Sequence, residues 1–356
     1  KPLGAILMTQ IRKYSNRQIN FAGLVLKEPH KYSVEDLREA EDILTYWRTI
    51  HAYPINTFQS TLRDKILRLG IQSPIVAQRL KRAVSIVAKL ERFDQMKLST
   101  MQDIAGLRAI VKSVADVRKL ETNYKESSFK HNLKGYKDYV TEPAFSGYRG
   151  IHLIYEFVSE NNAESNGLRI ELQIRSKLQH TWATAVETVG TFLESSLKSS
   201  QGPTEWLDYF GLVSAGFSIL ENCPISHPYK LISNKEIFER ISEETKRLKV
   251  HDKLRAFTVA ADHINQKLKN SKYNLITLNL EKKTVNVKSY FANQLKRANK
   301  DYTGIERKIN EGAPLQVVLV STGSIDNLRK AYPSYFLDTK EFLQKLDLIE
   351  NRLAKL

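Results

Sequence analysis

The sequence predicts an α+β fold: a mixed β-sheet carrying helices on its faces, followed by a smaller C-terminal unit of α/β type. Three observations predict it. Apolar residues recur at helical spacing over residues 33–69, strand-like runs then alternate with helical ones to about residue 200, and a ββαβα pattern closes the chain. With 356 residues, 42% hydrophobic and 26% charged, the chain can bury more than one core and is too apolar to be disordered.

Residues 1–32 give mixed signals and stay unassigned. Ser33-Val34-Glu35-Asp36 reads as an N-cap, and Leu37, Ala40, Ile43, Leu44, Trp47 and Ile50 follow at helical spacing. Pro54 is expected to end that helix. A second one, with Phe58, Leu62, Ile66 and Leu69, stops at Gly70. After Ser73-Pro74, a strand turning into a helix brings Arg79, Lys81 and Lys89 near one another. Arg grips phosphate oxygens in a fork and Lys supplies a point charge, so the cluster suits a polyphosphate; an exposed basic helix is the ordinary alternative.

In Asp103-Ile104-Ala105-Gly106-Leu107-Arg108-Ala109-Ile110-Val111 a carboxylate enters an apolar strand and an arginine emerges from it. Buried charges persist where they are paired, bind metal or do chemistry. Asp103 is therefore a candidate Mg²⁺ ligand, a capping or Arg-paired aspartate being the rival reading. A helix opens at Ser113 and runs to about Glu126, and basic residues then lead to Lys137.

From Arg169 to Arg175 polar and apolar residues alternate, so Arg169, Glu171, Gln173 and Arg175 share one strand face opposite Ile170, Leu172 and Ile174. An alternating strand is ordinarily a solvated sheet face. Three neighbours set this one apart: the Ser146-Gly147-Tyr148-Arg149 loop before it, the helix holding His180 and Glu187 after it, and the earlier basic cluster. That helix covers about Leu178 to Leu197, and another runs from about Trp206 to Leu220.

Cys223-Pro224-Ile225-Ser226-His227-Pro228 is the expected boundary. It divides residues 1–230, comprising a helical segment over 1–72 and a catalytic core over 73–200, from a polar helical connector over 231–271. The rest, 272–356, reads as strands at Tyr273–Leu280 and Thr284–Tyr290, a helix over Ala292–Asn310, a strand Leu315–Ser321, a short helix capped by Ser324 and a last helix from Thr339. Without a carboxylate cluster, that unit reads as a regulatory or interaction module.

The formal net charge of +16 and pI near 9.6 imply polyanionic partners. No run is apolar enough to span a bilayer and Lys1–Lys13 holds too short an apolar core for a signal peptide, so a cytoplasmic protein with no membrane partner is expected. One cysteine, Cys223, excludes an internal disulfide and a multi-cysteine zinc site.

Taken with their order, these motifs over residues 73–190 resemble the synthetase domain of the RelA/SpoT alarmone family, whose fold is nucleotidyltransferase-like. Arg79-x-Lys81 with Ser85 and Lys89 resembles its ATP-binding segment, Asp103 with Arg108 its magnesium- and adenine-binding strand, and Ser146-Gly147-Tyr148-Arg149 with His152 its acceptor loop. Glu171-Leu172-Gln173-Ile174-Arg175 resembles its Glu-x-Gln-Ile-Arg strand. The resemblance implies transfer of the β,γ-pyrophosphate of ATP to a ribose 3′-hydroxyl. Arg79 and Arg108 would sandwich the adenine, Lys81, Ser85 and Lys89 would hold phosphates, and Asp103 and Glu171 would be the catalytic carboxylates, Asp103 binding Mg²⁺ and Glu171 sharing the metal or removing the proton from the attacking hydroxyl. Lys137, Tyr148, Arg149, His152, Gln173, Arg175 and His180 would bind the acceptor, Tyr148 by stacking on its base.

The loop departs from the small synthetases, which tend to carry a Lys beside its proline; here it reads Glu142-Pro143-Ala144-Phe145. That disfavours a free 5′ di- or triphosphate, and His180 with Trp182-Ala183-Thr184-Ala185-Val186-Glu187 resembles the toxin-like members that modify the 3′-CCA end of tRNA. Tyr332-Pro333-Ser334-Tyr335 in a cysteine-free C-terminal unit resembles the pseudo-zinc-finger antitoxin module of CapRel-type fused toxin–antitoxin proteins. This implies autoinhibition through Tyr332 and Tyr335, relieved by a phage capsid protein. An alarmone synthetase acting on free nucleotides, and an inactive RNA-binding protein that kept the fold, are the alternatives.

Overall fold

The computed structural model describes residues 12–192, 202–258, 272–282, 284–321 and 339–354. The chain is α+β. Helix α1 (Asn16–Lys27) is followed by α2 (Val34–Ile50), whose start carries a capping box between Ser33 and Asp36. Helix α3 (Ala52–Arg68) begins at once, with Pro54 inside its first turn. There a proline costs no hydrogen bond, because the first amides of a helix lack intrahelical partners, so Pro54 opens α3 and does not terminate α2. Gly70, at φ +63°, ends it as expected.

Strand β1 (Ile75–Leu80) leads to α4 (Ala83–Arg92), and β2 (Ala105–Val111) to α5 (Val114–Glu126). Asp103 stands in the turn before β2, not in the strand. Strands β3 (Asn132–Asp138), β4 (Ile151–Glu156) and β5 (Arg169–Ser176) follow, then α6 (Lys177–Phe192) and α7 (Thr204–Leu220). The polar connector expected over 231–271 contains, among the described residues, two packed helices, α8 (Asn234–Arg247) and α9 (Val250–Thr258), parted at Lys249 with φ +52°. Composition misled there because the apolar side of α8, with Ile237, Phe238 and Ile241 buried, is a narrow stripe on a charged helix. The C-terminal elements are β6 (Tyr273–Asn279), β7 (Thr284–Tyr290), α10 (Leu295–Asn310), β8 (Leu315–Ser321) and α11 (Lys340–Leu353). The short helix expected at Ser324 lies outside the described residues.

Among the described residues the strands form one eight-stranded sheet, in the order β3-β4-β5-β2-β1-β8-β6-β7. β2 and β5 are parallel and the other pairings antiparallel. The alternation in β5 sorts the sheet's two faces. Leu107 of β2 and Leu153 of β4 lie beside Leu172 in register, and this apolar face packs on Phe58 and Leu62 of α3 and Leu120 of α5. Each such side chain, when fully buried, contributes roughly 1.5–3 kcal/mol. The opposite face carries the polar residues.

The expected C-terminal unit is joined to this sheet edge to edge, through Gln78↔Ser321 and Arg79↔Val320. Its last helix packs elsewhere: Phe342, Leu346 and Ile349 of α11 share one core with α6, α7 and α8. The turn around Cys223 interrupts the chain but not that core, since α7 and α8 lie on either side of it and pack together. No described helix is long and apolar enough to cross a membrane.

Candidate active site

Register brings distant residues together on the polar face. Arg79 of β1 lies beside Gly106 of β2, which lies beside Glu171 of β5. Two residues along, Arg108, Gln173, His152 and Lys137 form a second cross-strand row. Between them opens a cleft lined by Arg79, Lys81, Asp103, Gly106, Leu107, Arg108, Glu171 and Gln173.

At one end Asp103 accepts hydrogen bonds from Lys81 Nζ at 2.8 Å and from Lys89 Nζ at 2.9 Å. Burial pushes its carboxyl upward, but the two ammonium groups outweigh that and hold it below its ordinary value, against the opposing charge of Glu171. Burial lowers Lys81, an effect only partly offset by Asp103. Helix α4 places Lys89 here, two turns after Lys81.

At the centre five side chains close a hydrogen-bonded ring. His152 Nδ1–H donates to Glu171 Oε1 at 2.8 Å, and the Tyr148 hydroxyl and His152 Nε2 share a hydrogen bond at 2.5 Å. Arg175 Nε donates to the Tyr148 oxygen at 3.1 Å and its Nη2 to Gln173 Oε1 at 2.9 Å; Gln173 Nε2 donates to Glu171 Oε2 at 2.8 Å. Burial raises the Glu171 carboxyl, but the hydrogen bond and charge of His152 and the amide of Gln173 more than reverse this and hold it at about 2. It is an ionised carboxylate with both oxygens engaged.

Among the described residues no group of three or more His, Cys, Asp or Glu could hold a metal through protein ligands alone. Two carboxylates facing one cleft beside lysines are instead the donor set for Mg²⁺ carried on a polyphosphate, which fills its remaining positions with phosphate oxygens and water. The residues fit that ion.

A family model described as "Region found in RelA / SpoT proteins" matches residues 78–190, the stretch that builds this cleft. Residues 78–190 are thus similar to that region over their whole length. Over 117 residues, 32% of this chain and 54% of the relative, the sequence is 33% identical to the GTP pyrophosphokinase YjbM of Bacillus subtilis. Over 112 residues, 30% of this chain and 52% of the relative, it is 32% identical to the GTP pyrophosphokinase YwaC of the same organism. The chain thus spans about half the length of these curated relatives. Among solved structures, the small alarmone synthetase 1 of Bacillus subtilis bound to its product pppGpp aligns with a TM-score of 0.43 at 22% identity, covering 49% of this chain and 90% of that one.

The remaining expected residues divide. Ser85 stands in the first turn of α4, and Lys137 is exposed on the edge strand β3. Tyr148 is only 6% exposed: the Arg175 guanidinium lies 4.9 Å over its ring and Tyr139 meets it edge-on at 5.5 Å. Its expected free stacking face is therefore covered. Arg149 is turned into the protein, where Nη1 meets Glu221 Oε2 at 2.7 Å, so it ties the loop to the end of α7 and does not reach an acceptor. His180 is buried in α6 and is not among the cleft-lining residues. Tyr332 and Tyr335 lie outside the described residues.

Sequence reasoning passed over two features. Gly106 clears the floor between Arg79 and Glu171, neighbours that strand register supplies and that its apolar sequence neighbours Ala105 and Leu107 do not signal. Phe145, 81% exposed in the turn closed by Ala144 and Tyr148, is an open aromatic on the acceptor loop.

Proposed function

We propose that this chain is a pyrophosphokinase that transfers the β,γ-pyrophosphate of ATP to a ribose 3′-hydroxyl. The observation that carries the reading is the convergence of Arg79, Lys81, Asp103, Arg108 and Glu171 on one cleft. Arg79 and Arg108 grip the adenine, Lys81, Ser85 and Lys89 take the phosphates, and Asp103 and Glu171 would hold Mg²⁺, which would supply charge neutralisation to the phosphates. Glu171 removes the proton from the acceptor hydroxyl. The oxygen attacks the β-phosphorus, the bond to the bridging α–β oxygen breaks, and AMP leaves.

The acceptor is the 3′-CCA end of tRNA, and the consequence is arrest of translation in the cytoplasm. Two features support this choice: the net charge of +16, and Glu142 in the acceptor loop, an anion where a free di- or triphosphate would want a cation. With Tyr148 covered, Phe145 supplies the aromatic face for the terminal base. The C-terminal unit holds the enzyme inactive through Tyr332 and Tyr335 until a phage capsid protein releases it, making the chain a fused toxin and antitoxin. Since β8 pairs with β1, release acts at those tyrosines and leaves the sheet joined.

A free guanine nucleotide as acceptor is the second reading, favoured by the names of the Bacillus relatives. The test is one tube holding the full chain, or its Tyr332→Ala or Tyr335→Ala variant, with ATP labelled on the γ-phosphate, Mg²⁺, bulk tRNA, GDP and GTP. Label on the tRNA 3′ adenosine supports the proposal, label on guanine nucleotide replaces the acceptor, and no transfer by any variant leaves an RNA-binding protein.

A further inference from the structure

Helix α4 carries Lys89 and follows Lys81, yet its own sequence caps it poorly. Its N-cap is Arg82, which makes no side-chain cap bond, and its first turn holds no acidic residue. Four amides at a helix start need partners, and a carboxylate is a favoured one because it also meets the positive end of the helix dipole.

The partner comes from the far end of the chain. Glu306, on α10, accepts from Ala83 N at 2.8 Å through Oε1 and from Arg48 Nη1 at 2.9 Å through Oε2. Glu306 is 3% exposed and Arg48 5%. Tyr302, one turn earlier on α10, places its ring 4.7 Å from the same guanidinium. Meanwhile β8 pairs alongside Gln78 and Arg79. The segment from Gln78 to Ala83, which carries Arg79 and Lys81, is thus held at both ends by the C-terminal unit.

We propose that Glu306 is a positioning residue of the nucleotide site: it caps α4 from the C-terminal unit and so fixes Lys81, Ser85 and Lys89 for the triphosphate. The inference rests on the proposed ATP site and goes beyond it. It makes the C-terminal unit a component of the nucleotide site as well as its control, so an enzyme cut before β6 loses nucleotide affinity and is not simply unleashed.

The experiment uses the full chain. Glu306→Gln leaves an amide that can satisfy only one of the two donors, and Glu306→Asp keeps the charge. The pair Arg48→Met with Glu306→Leu removes both buried charges together, which commonly preserves stability, and still leaves α4 uncapped. Binding of a non-hydrolysable ATP analogue with Mg²⁺ is measured beside binding of bulk tRNA and hydrogen exchange of the amides from Ala83 to Ile86.

Glu306→Gln and the double variant are expected to weaken the analogue about tenfold, to speed exchange in the first turn of α4 but not in α5, and to leave tRNA binding within twofold. Glu306→Asp restores some of the loss. A folded double variant that binds the analogue like the wild type overturns the proposal, as does equal weakening of analogue and tRNA. If the single variants do not fold, the double variant decides. A wild-type chain that binds no analogue refutes the ATP site itself, and the exchange readout then still decides whether Glu306 holds α4.

Discussion

Glu171 and His152 meet diagonally across neighbouring strands, Oε1 to Nδ1 at 2.8 Å, and the contact leaves the histidine's other nitrogen to hydrogen-bond Tyr148. A carboxylate so held is oriented before a substrate arrives, and that orientation is gained while its affinity for a proton is lowered. Its value near 2 keeps it ionised throughout the physiological range.

Glu171→Gln is therefore expected to cut transfer by about 10²–10⁴-fold while ATP-analogue binding stays within a few fold, since general-base removal acts on the chemical step. His152→Ala should lower the rate about tenfold or more by releasing Glu171 and Tyr148 together. Single-turnover transfer and analogue binding, measured side by side, check both. Equal loss of binding and rate in Glu171→Gln would count against its role as the base.

Asp103 holds two lysines that a triphosphate would need. Asp103→Asn should lower Mg²⁺-dependent transfer about a hundredfold or more, because a site carboxylate for the ion is gone. Without Mg²⁺ the sign reverses: Lys81 and Lys89 are no longer tied to a carboxylate, so tripolyphosphate should bind the variant several-fold more tightly than the wild type. Titration calorimetry with and without the metal reads both effects. Weaker tripolyphosphate binding by the metal-free variant would show that these lysines do not serve phosphate.

Much of this site was legible in the sequence because it is written in local periodicity. The two-residue alternation from Arg169 to Arg175 placed Glu171 and Gln173 on one face, and Arg79, Lys81 and Arg108 fell on the strands and turns that spacing alone predicts. What failed depended on partners remote in the chain. Arg149 reads as a cation on a loop until Glu221 is seen beside it. Tyr148 reads as an open ring until Arg175 covers it. Glu306 has no local mark at all, being one glutamate on an amphipathic helix. The pairing of β8 with β1 was equally invisible, since edge strands carry no signature of what will lie beside them.

Two buried histidines set an acid limit on stability. His51 donates Nδ1–H to the Trp47 carbonyl at 2.7 Å, and burial lowers it to about 4. His131, stacked between Phe58 and Phe157, accepts from Val158 N through Nδ1 at 3.1 Å, and burial followed by the charge of Lys130 lowers it to about 4. Both folded-state values lie below the unfolded value of 6.5. Their stabilising contribution is complete above that value and is lost as pH falls from 6.5 toward 4, because the unfolded chain takes up protons first. Between pH 6.5 and 5, His51 should cost up to about 2 kcal/mol, and His131 less. Denaturant titrations at the two pH values measure the drop, and His51→Gln should flatten it; an unchanged slope in that variant would assign the acid limit elsewhere.

Gly106 separates the needs of folding from those of binding. It lies between Arg79 and Glu171 in register, and a Cβ placed there would meet only the Arg79 carbonyl oxygen, at 3.8 Å. The backbone is not left-handed, so a side chain costs no strain, and glycine inside a strand is itself unfavourable by roughly 0.5–1 kcal/mol relative to alanine. Gly106→Val should keep or raise the Tm and yet fill the cleft floor beneath the nucleotide, weakening the ATP analogue at least about tenfold. Thermal unfolding and analogue binding on one preparation give both numbers. A stable variant with undiminished affinity would mean that ATP does not lie over β2, and the roles given to Arg79 and Arg108 would fall with it.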